Sequence, residues 1–314
     1  MTTHNGQVQD SELRRPPEIE VGAAALPQRV RHRPQWSWLG LVPFFGYAGL
    51  FFLLPVGVLL WTAFQDSGTG AVTVDNVRHS LQGAYLSGLG HSVQLSLVDA
   101  LAAALLGLPL AQAIRSGRGT LLPRLVSSAS AVLANFGGLP LAFLFVAAIG
   151  NAGVLTTVLH DRFGVSLSGD LHFDLYSVTG VEVVYLYFLV PLMVLVITPA
   201  LEGLRPQWRE SAENLGASRW QYWRHVAGPV LAPSVLGAVA LLFCSAFSAY
   251  ATAAALTNGT LSLTPLQIGA VLSGNVLTGQ ENVGAALALN MVVVVVPLTM
   301  LYLAMQRRTQ RWLQ

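Results

Sequence analysis

Long apolar runs alternate with shorter polar stretches along this chain, and the alternation predicts its architecture. Six runs stand out: Leu39–Phe64, Ser92–Ile114, Leu125–Ile149, Val178–Leu201, Val230–Leu256 and Gly284–Met305. Each is long enough, at about 1.5 Å per residue, to cross most or all of a hydrocarbon core about 30 Å thick. Only the second and fourth contain a charge, Asp99 and Glu182 respectively. The expected fold class is therefore all-α, a polytopic bundle of six transmembrane helices. Pro55, Pro109, Pro140 and Pro191 lie inside the runs. They are read as kinks, because neighbouring helices in a bundle re-satisfy the carbonyls that proline frees.

The polar stretches add organisation. Residues 1–37 are rich in Pro, Arg and Glu without an apolar period, and read as a polar tail. The run that follows, 38–64, is too long for a cleavable signal and is expected to stay as the first helix. Residues 65–91 and 150–177 are irregular connections. Residues 257–283 hold a short amphipathic stretch, Leu266–Leu277, suited to an interface. Residues 306–314 are a basic C-terminal segment.

Composition agrees with a membrane protein. Of 314 residues 53% are hydrophobic and 10% charged, with a mean hydropathy of +0.56. All 17 basic residues are Arg, and their placement orients the chain. Fifteen fall in the N-terminal tail, in the loops after the second and fourth runs, or at the C-terminus. Only Arg78 and Arg162 fall elsewhere. Positive residues stay inside, so both termini are expected in the cytoplasm of a multi-pass inner-membrane protein. The absence of Lys excludes the P-loop, which needs Lys to hold nucleotide phosphates. Cys244 stands alone, so no internal disulfide forms. The seven His residues include no i, i+4 pair and no HExxH, and there is no GxSxG. No metal site, cofactor, catalytic residue or nucleic-acid partner is expected.

The most informative stretch is Pro199–Pro233, PALEGLRPQWRESAENLGASRWQYWRHVAGPVLAP. Arg209–Leu215 is helix-forming, with Glu210 and Glu213 expected in its early turns, where the dipole favours anions. Gly216 is free to take positive φ and end that helix. Ser218 is placed to cap a second, aromatic-rich helix carrying Trp220, Tyr222, Trp223 and Val226. A helix–turn–helix with an apolar face is suited to a groove in another protein.

Glu210-Ser211-Ala212-Glu213-Asn214-Leu215-Gly216, followed by Val226-Ala227-Gly228-Pro229, resembles the EAA loop of permeases of binding-protein-dependent ABC importers. Glu210, Ala212, Gly216 and Pro229 match that pattern at its spacing, while Ser211, Val226 and Gly228 depart from it. The resemblance covers residues 88–305 and implies the type I importer permease (MetI-like) fold. It also implies partners: a second permease, two ATP-binding-cassette ATPases, an extracytoplasmic binding protein and membrane lipid. Glu210, Ala212, Gly216, Ala217 and Pro229 would form the coupling loop to the ATPase. The stretch YSVTGVEVVYLYFLVPLMVLVITPALEGL looks most like the polyamine-type permeases, which are grouped with ferric iron and phosphonate transporters. The fifth run, FSAYATAAALTNG, lacks the acidic residue those polyamine permeases carry, which keeps a sugar-type permease open.

Asp99, Glu182 and Tyr185 are candidates for the translocation path. Ser92, Ser96, Asp99 and Ala103 share a helix stripe, and Glu182 and Tyr185 share another face. Carboxylates with an aromatic face hold cations, and a structural hydrogen bond to a neighbouring helix is the alternative for each. An ion-driven secondary transporter is the rival class. It would need paired discontinuous helices or an inverted repeat, and neither is read from the sequence.

Overall fold

A computed structural model describes residues 41–117, 121–257, 259–273 and 281–313. The polar tail expected at 1–37 lies outside the described residues. The chain divides into two units, one ending at Phe52 and one beginning at Leu53. The first holds α1 (Val42–Ala48) and all but the last residue of a π turn over Gly49–Leu53. The second holds α2 (Leu54–Thr62), α3 (Asp75–Ser80), α4 (Gly83–Ser116), α5 (Leu121–Asn135), α6 (Leu139–Ile149), α7 (Val154–Phe163) and α8 (Val178–Glu202). It continues through α9 (Pro206–Asn214), α10 (Arg219–Tyr222), α11 (Gly228–Phe247), α12 (Tyr250–Thr257), α13 (Thr264–Leu272) and α14 (Glu281–Leu313). Among the described residues, six helical segments are long and apolar enough to cross a membrane: Val42–Thr62, Gly83–Ser116, Leu139–Phe163, Val178–Glu202, Arg219–Phe247 and Asn282–Met305. The all-α, six-span expectation holds.

The core forms where α4, α8 and α11 pack on one another, with α5 against α8 and α14 against α11. Ala100, Ala103, Ala104, Gly107 and Ala111 make a buried small-residue stripe on α4. Small side chains let helix backbones approach in a membrane bundle. Gly107 sets the closest approach: a Cβ there would stand 2.7 Å from the Met193 side chain and 3.1 Å from the Val190 carbonyl. Val184, Leu189, Met193 and Ile197 of α8 and Leu242 of α11 complete the buried layer. On the other face of α4, Leu101 and Leu105 are exposed, as a lipid-facing surface requires.

The structure corrects several boundaries. α4 begins at Gly83, nine residues before the expected Ser92. The third run, Leu125–Ile149, is not one helix: α5 ends at Asn135 and α6 starts at Leu139. Gly138 at φ 74° breaks the path, and Pro140 sits in the first turn of the new helix rather than inside an old one. The irregular connection expected at 150–177 contains α7. The fifth run also divides, α11 ending at Phe247 and α12 starting at Tyr250. The chain therefore does hold a pair of discontinuous helices, which the sequence reading did not find. The amphipathic stretch expected at Leu266–Leu277 is α13, ending at Leu272; residues 274–280 lie outside the described residues. The C-terminal segment is a continuation of α14.

Candidate functional site

The loop between α8 and α11 is built from two helices and a tight reversal. Pro206 opens α9, where its missing N–H is no loss. The helix thus starts three residues before the expected Arg209. Glu210 and Glu213 consequently lie in its middle and last turn, not its first, and gain nothing from the N-terminal dipole. Glu213 instead accepts from Arg209 Nε at 2.7 Å across one helical turn. That hydrogen bond, with the charge behind it, holds the Arg209 guanidinium above its ordinary pKa.

Gly216 ends α9 at φ 78°. The Gly216 N–H donates to Glu213 O and the Ala217 N–H to Ala212 O, both at 2.9 Å. This is a complete Schellman closure, and it gives Ala212 and Ala217 definite backbone roles. Ser218 then caps α10 in a capping box: Ser218 Oγ accepts the Gln221 N–H, and Gln221 Oε1 accepts the Ser218 N–H at 2.7 Å. Ser218-x-x-Gln221 was a readable signature of this box.

α10 does not stop at Pro229. It passes through a π turn over Trp223–Ala227 into α11, so Arg219–Phe247 is one helical segment. The Gly228 N–H reaches back five residues to Trp223 O. Proline cannot donate and crowds the carbonyl four residues back, and the widened turn just before Pro229 accommodates both defects.

The assembled loop has two faces. Trp208, Ser211, Ala212 and Leu215 of α9 line an apolar groove with Val226 and Val230. Trp208, Ala212 and Val226 also pack on the core. Leu215 and Trp220 project outward, 88% and 71% exposed. Glu210 is exposed and makes no hydrogen bond or ion pair among the described residues. On the other face, Arg205, Arg209 and Glu213 turn toward the end of α4, where Arg115 Nη2 donates to Leu204 O at 3.0 Å.

The second candidate group lies inside the bundle. Asp99 and Tyr185 are 0% and 1% exposed, while Glu182 is half-buried. Packing of α4 on α8 brings the three within electrostatic reach. The Tyr185 hydroxyl donates to Ala249 O at 2.6 Å, between α11 and α12. Neither Asp99 oxygen has a hydrogen-bond partner among the described residues. The stripe read from sequence is real but enclosed: Ser92 Oγ accepts the Thr264 N–H at 2.8 Å, and Ser96 Oγ donates to Ser92 O at 2.7 Å. A separate cavity, which the sequence reading missed, opens between the two helix breaks. Asn135, Gly137, Gly138, Ser245, Ser248 and Tyr250 are among its lining, and among the described residues no charged one is.

This arrangement of helices is that of an ABC importer permease. A chain in the crystal structure of a bacterial ABC transporter involved in the import of the acidic polysaccharide alginate has the same fold, with a TM-score of 0.64. That likeness is at 15% identity and covers 88% of this chain and 95% of the other. The family model described as binding-protein-dependent transport system inner membrane component matches residues 103–314, and the chain belongs to this family. It is 40% identical over 68 residues to the sulfate transport system permease protein CysT of Escherichia coli (strain K12), covering 22% of this chain and 24% of the relative. It is 28% identical over 117 residues to the thiamine transport system permease protein ThiP of the same strain, covering 37% and 21%. The chain therefore spans about a quarter or less of the length of these two relatives.

Proposed function

We propose that this chain is the membrane-spanning permease subunit of an ABC importer in a bacterial inner membrane, with both termini in the cytoplasm. It pairs with a second permease and two ATPase subunits, and takes a small polar solute from an extracytoplasmic binding protein. ATP hydrolysis belongs to the ATPases. The loop around residues 205–229 couples hydrolysis to the spans, with Glu210 and Leu215 as contacts and Gly216 as the turn. One observation carries this reading: α9, the Schellman closure and α10 form a tight reversal that leaves Leu215 and Trp220 largely exposed and Glu210 without a hydrogen bond or ion pair among the described residues. Rigid elements presenting exposed apolar anchors are what a groove in a partner receives.

For the solute, Glu182 is the contact, backed by Asp99 and Tyr185 inside the bundle. This favours a small cation or a polyol. The two named relatives are permeases for sulfate and for thiamine, so membership of the family leaves the sign of the solute's charge open.

Leu215→Asp tests the coupling role. The residue is 88% exposed, so the bundle survives the change. The variant is expected to lose ATPase co-purification and uptake while inserting normally. Full retention of both overturns the assignment of this loop.

A further inference from the structure

A cleft of about 530 Å³ opens between the end of α4 and the α9–α10 reversal. Its charged lining is unbalanced: Arg115, Arg205, Arg209 and Arg219 face one carboxylate, Glu213. Glu213 is already engaged by Arg209 at 2.7 Å. Among the described residues Arg115, Arg205 and Arg219 have no acidic partner. Arg115 is partly buried and held in place by its 3.0 Å bond to Leu204 O, which uses one of its five N–H donors. Ser116, Ser218 and Tyr222 add hydroxyl groups to the same cleft.

We infer that this cleft binds a phosphate-type oxyanion, as a soluble phosphate or as the headgroup of an anionic lipid. Guanidinium forks match the geometry of phosphate oxygens in pairs, and they stay charged at every physiological pH. Three guanidinium groups lining one cleft whose single carboxylate is already engaged leave an excess of positive charge there, and a divalent oxyanion relieves it. The volume is many times the roughly 30 Å³ share of one water molecule, so a group of several atoms fits. The ligand would bridge α4, α9 and α10, and so fix the angle at which the loop leaves the bundle.

Acidic side chains of a docked ATPase are the competing occupant. The geometry disfavours them. Arg205, Arg209 and Glu213 follow one another at four-residue spacing on one side of α9, whereas Trp208, Ala212 and Leu215 line the apolar groove on another. The outward anchor Leu215 is therefore not on the cleft side. This inference goes beyond the importer reading and does not depend on it.

The test uses the full chain, delipidated in neutral detergent, with no ATPase present. One arm titrates inorganic pyrophosphate calorimetrically. The other reconstitutes the chain into phosphatidylcholine nanodiscs containing phosphatidylglycerol, then counts phosphatidylglycerol retained through detergent washing by mass spectrometry. Arg205 and Arg219 are exposed, so the Arg205→Gln/Arg219→Gln variant keeps the fold. It is expected to weaken binding of the responding probe by about tenfold or more. The Arg205→Lys/Arg219→Lys variant should keep part of the affinity, since charge remains without the fork. Arg162→Gln, outside the cleft, should match the parent chain. Response to pyrophosphate alone identifies a soluble ligand, and retention of phosphatidylglycerol alone a lipid. The inference is overturned if neither probe binds, or if the Gln pair leaves both affinities unchanged. It is equally overturned if neither probe binds and the Gln pair instead releases the ATPase from the assembled transporter, because the cleft then belongs to that partner.

Discussion

The Gly138 backbone N–H donates to Thr252 Oγ1 at 3.0 Å, and the same hydroxyl reaches Gly138 O at 3.3 Å. One side chain thus ties together two helix breaks 114 residues apart in sequence. At Gly138 the backbone leaves the helical path: its C=O already accepts the Ala142 N–H at 3.2 Å as the first bond of α6, but its N–H has no ladder to join. Thr252 is itself 2% exposed in the first turn of α12. The tie fixes how the α5–α6 joint meets the α11–α12 joint, and Tyr185 braces the second joint through Ala249 O.

Thr252→Val removes the hydroxyl while keeping the branched shape. It strands the Gly138 N–H in a part-buried site, at an expected cost of about 1–3 kcal/mol. Thermal unfolding in detergent should show a lower midpoint for Thr252→Val, and Thr252→Ser should lie near the parent. An unchanged midpoint for the Val variant would show that Gly138 finds another partner.

Gly107 and Met193 offer a test of the α4–α8 contact. An added Cβ meets Met193 Cβ and Cγ at 2.7 Å, tighter than any relaxed packing allows. Gly107→Leu is expected to cost about 1–3 kcal/mol through forced separation of the two helices. Gly107→Ala should cost less, and Met193→Ala in the same chain should recover part of the loss. A double-mutant cycle reads that coupling directly. Strict additivity of the two changes would mean the helices do not meet at this point.

Spans, loop and turn were legible in the sequence for physical reasons. Apolar length marks a membrane helix whatever surrounds it, and Gly216 and Ser218 act on their own backbone within three residues. The joints were not legible, because Leu125–Ile149 and Val230–Leu256 are uncharged throughout and predominantly apolar. Hydropathy does not register a break whose carbonyls and amides are satisfied by a distant Thr252 or Tyr185. Gly137-Gly138-Leu139-Pro140 was the available clue to the first joint: two glycines followed by a residue that cannot donate. The second joint, at Ser248-Ala249, has no comparable mark. The cleft at Arg115 was hidden in another way. Its arginines were counted for orientation, but Arg115 and Arg205 meet only once α4 and α8 are packed side by side.

Glu182 and Asp99 stand in different surroundings, which makes the proposed solute contact testable. Glu182 is half-buried and Asp99 is enclosed without a hydrogen-bond partner among the described residues. Glu182→Gln is expected to cut uptake at limiting solute by about tenfold, the worth of one charge-assisted hydrogen bond, with assembly unchanged. Asp99→Asn should preserve fold and assembly, since the carboxyl it replaces holds no bond. Normal uptake by Glu182→Gln would return that residue to a purely structural role.

Gly216 gives the sharpest test of coupling. A Cβ at this position meets nothing within 4 Å, so no clash within the chain opposes substitution. Only the φ of 78° does. A β-branched residue there pays a penalty of roughly 1–2 kcal/mol, whereas Asn visits the left-handed region readily. Gly216→Val is therefore expected to open the Schellman closure by releasing the Gly216 and Ala217 N–H bonds, and to let Leu215 move from its place before the turn. Gly216→Asn should keep the closure. Both variants change the same exposed surface, but only one changes the backbone. Purified transporter should then show ATP hydrolysis stimulated by loaded binding protein in the Asn variant and little stimulation in the Val variant, with equal amounts of chain inserted in the membrane. Glu210→Ala should fall between them, because it removes one exposed charge from the proposed docking face and leaves the turn intact. Equal stimulation in the Val and Asn variants would mean that the turn's geometry carries no coupling, and that transmission to the spans runs through some other part of the chain.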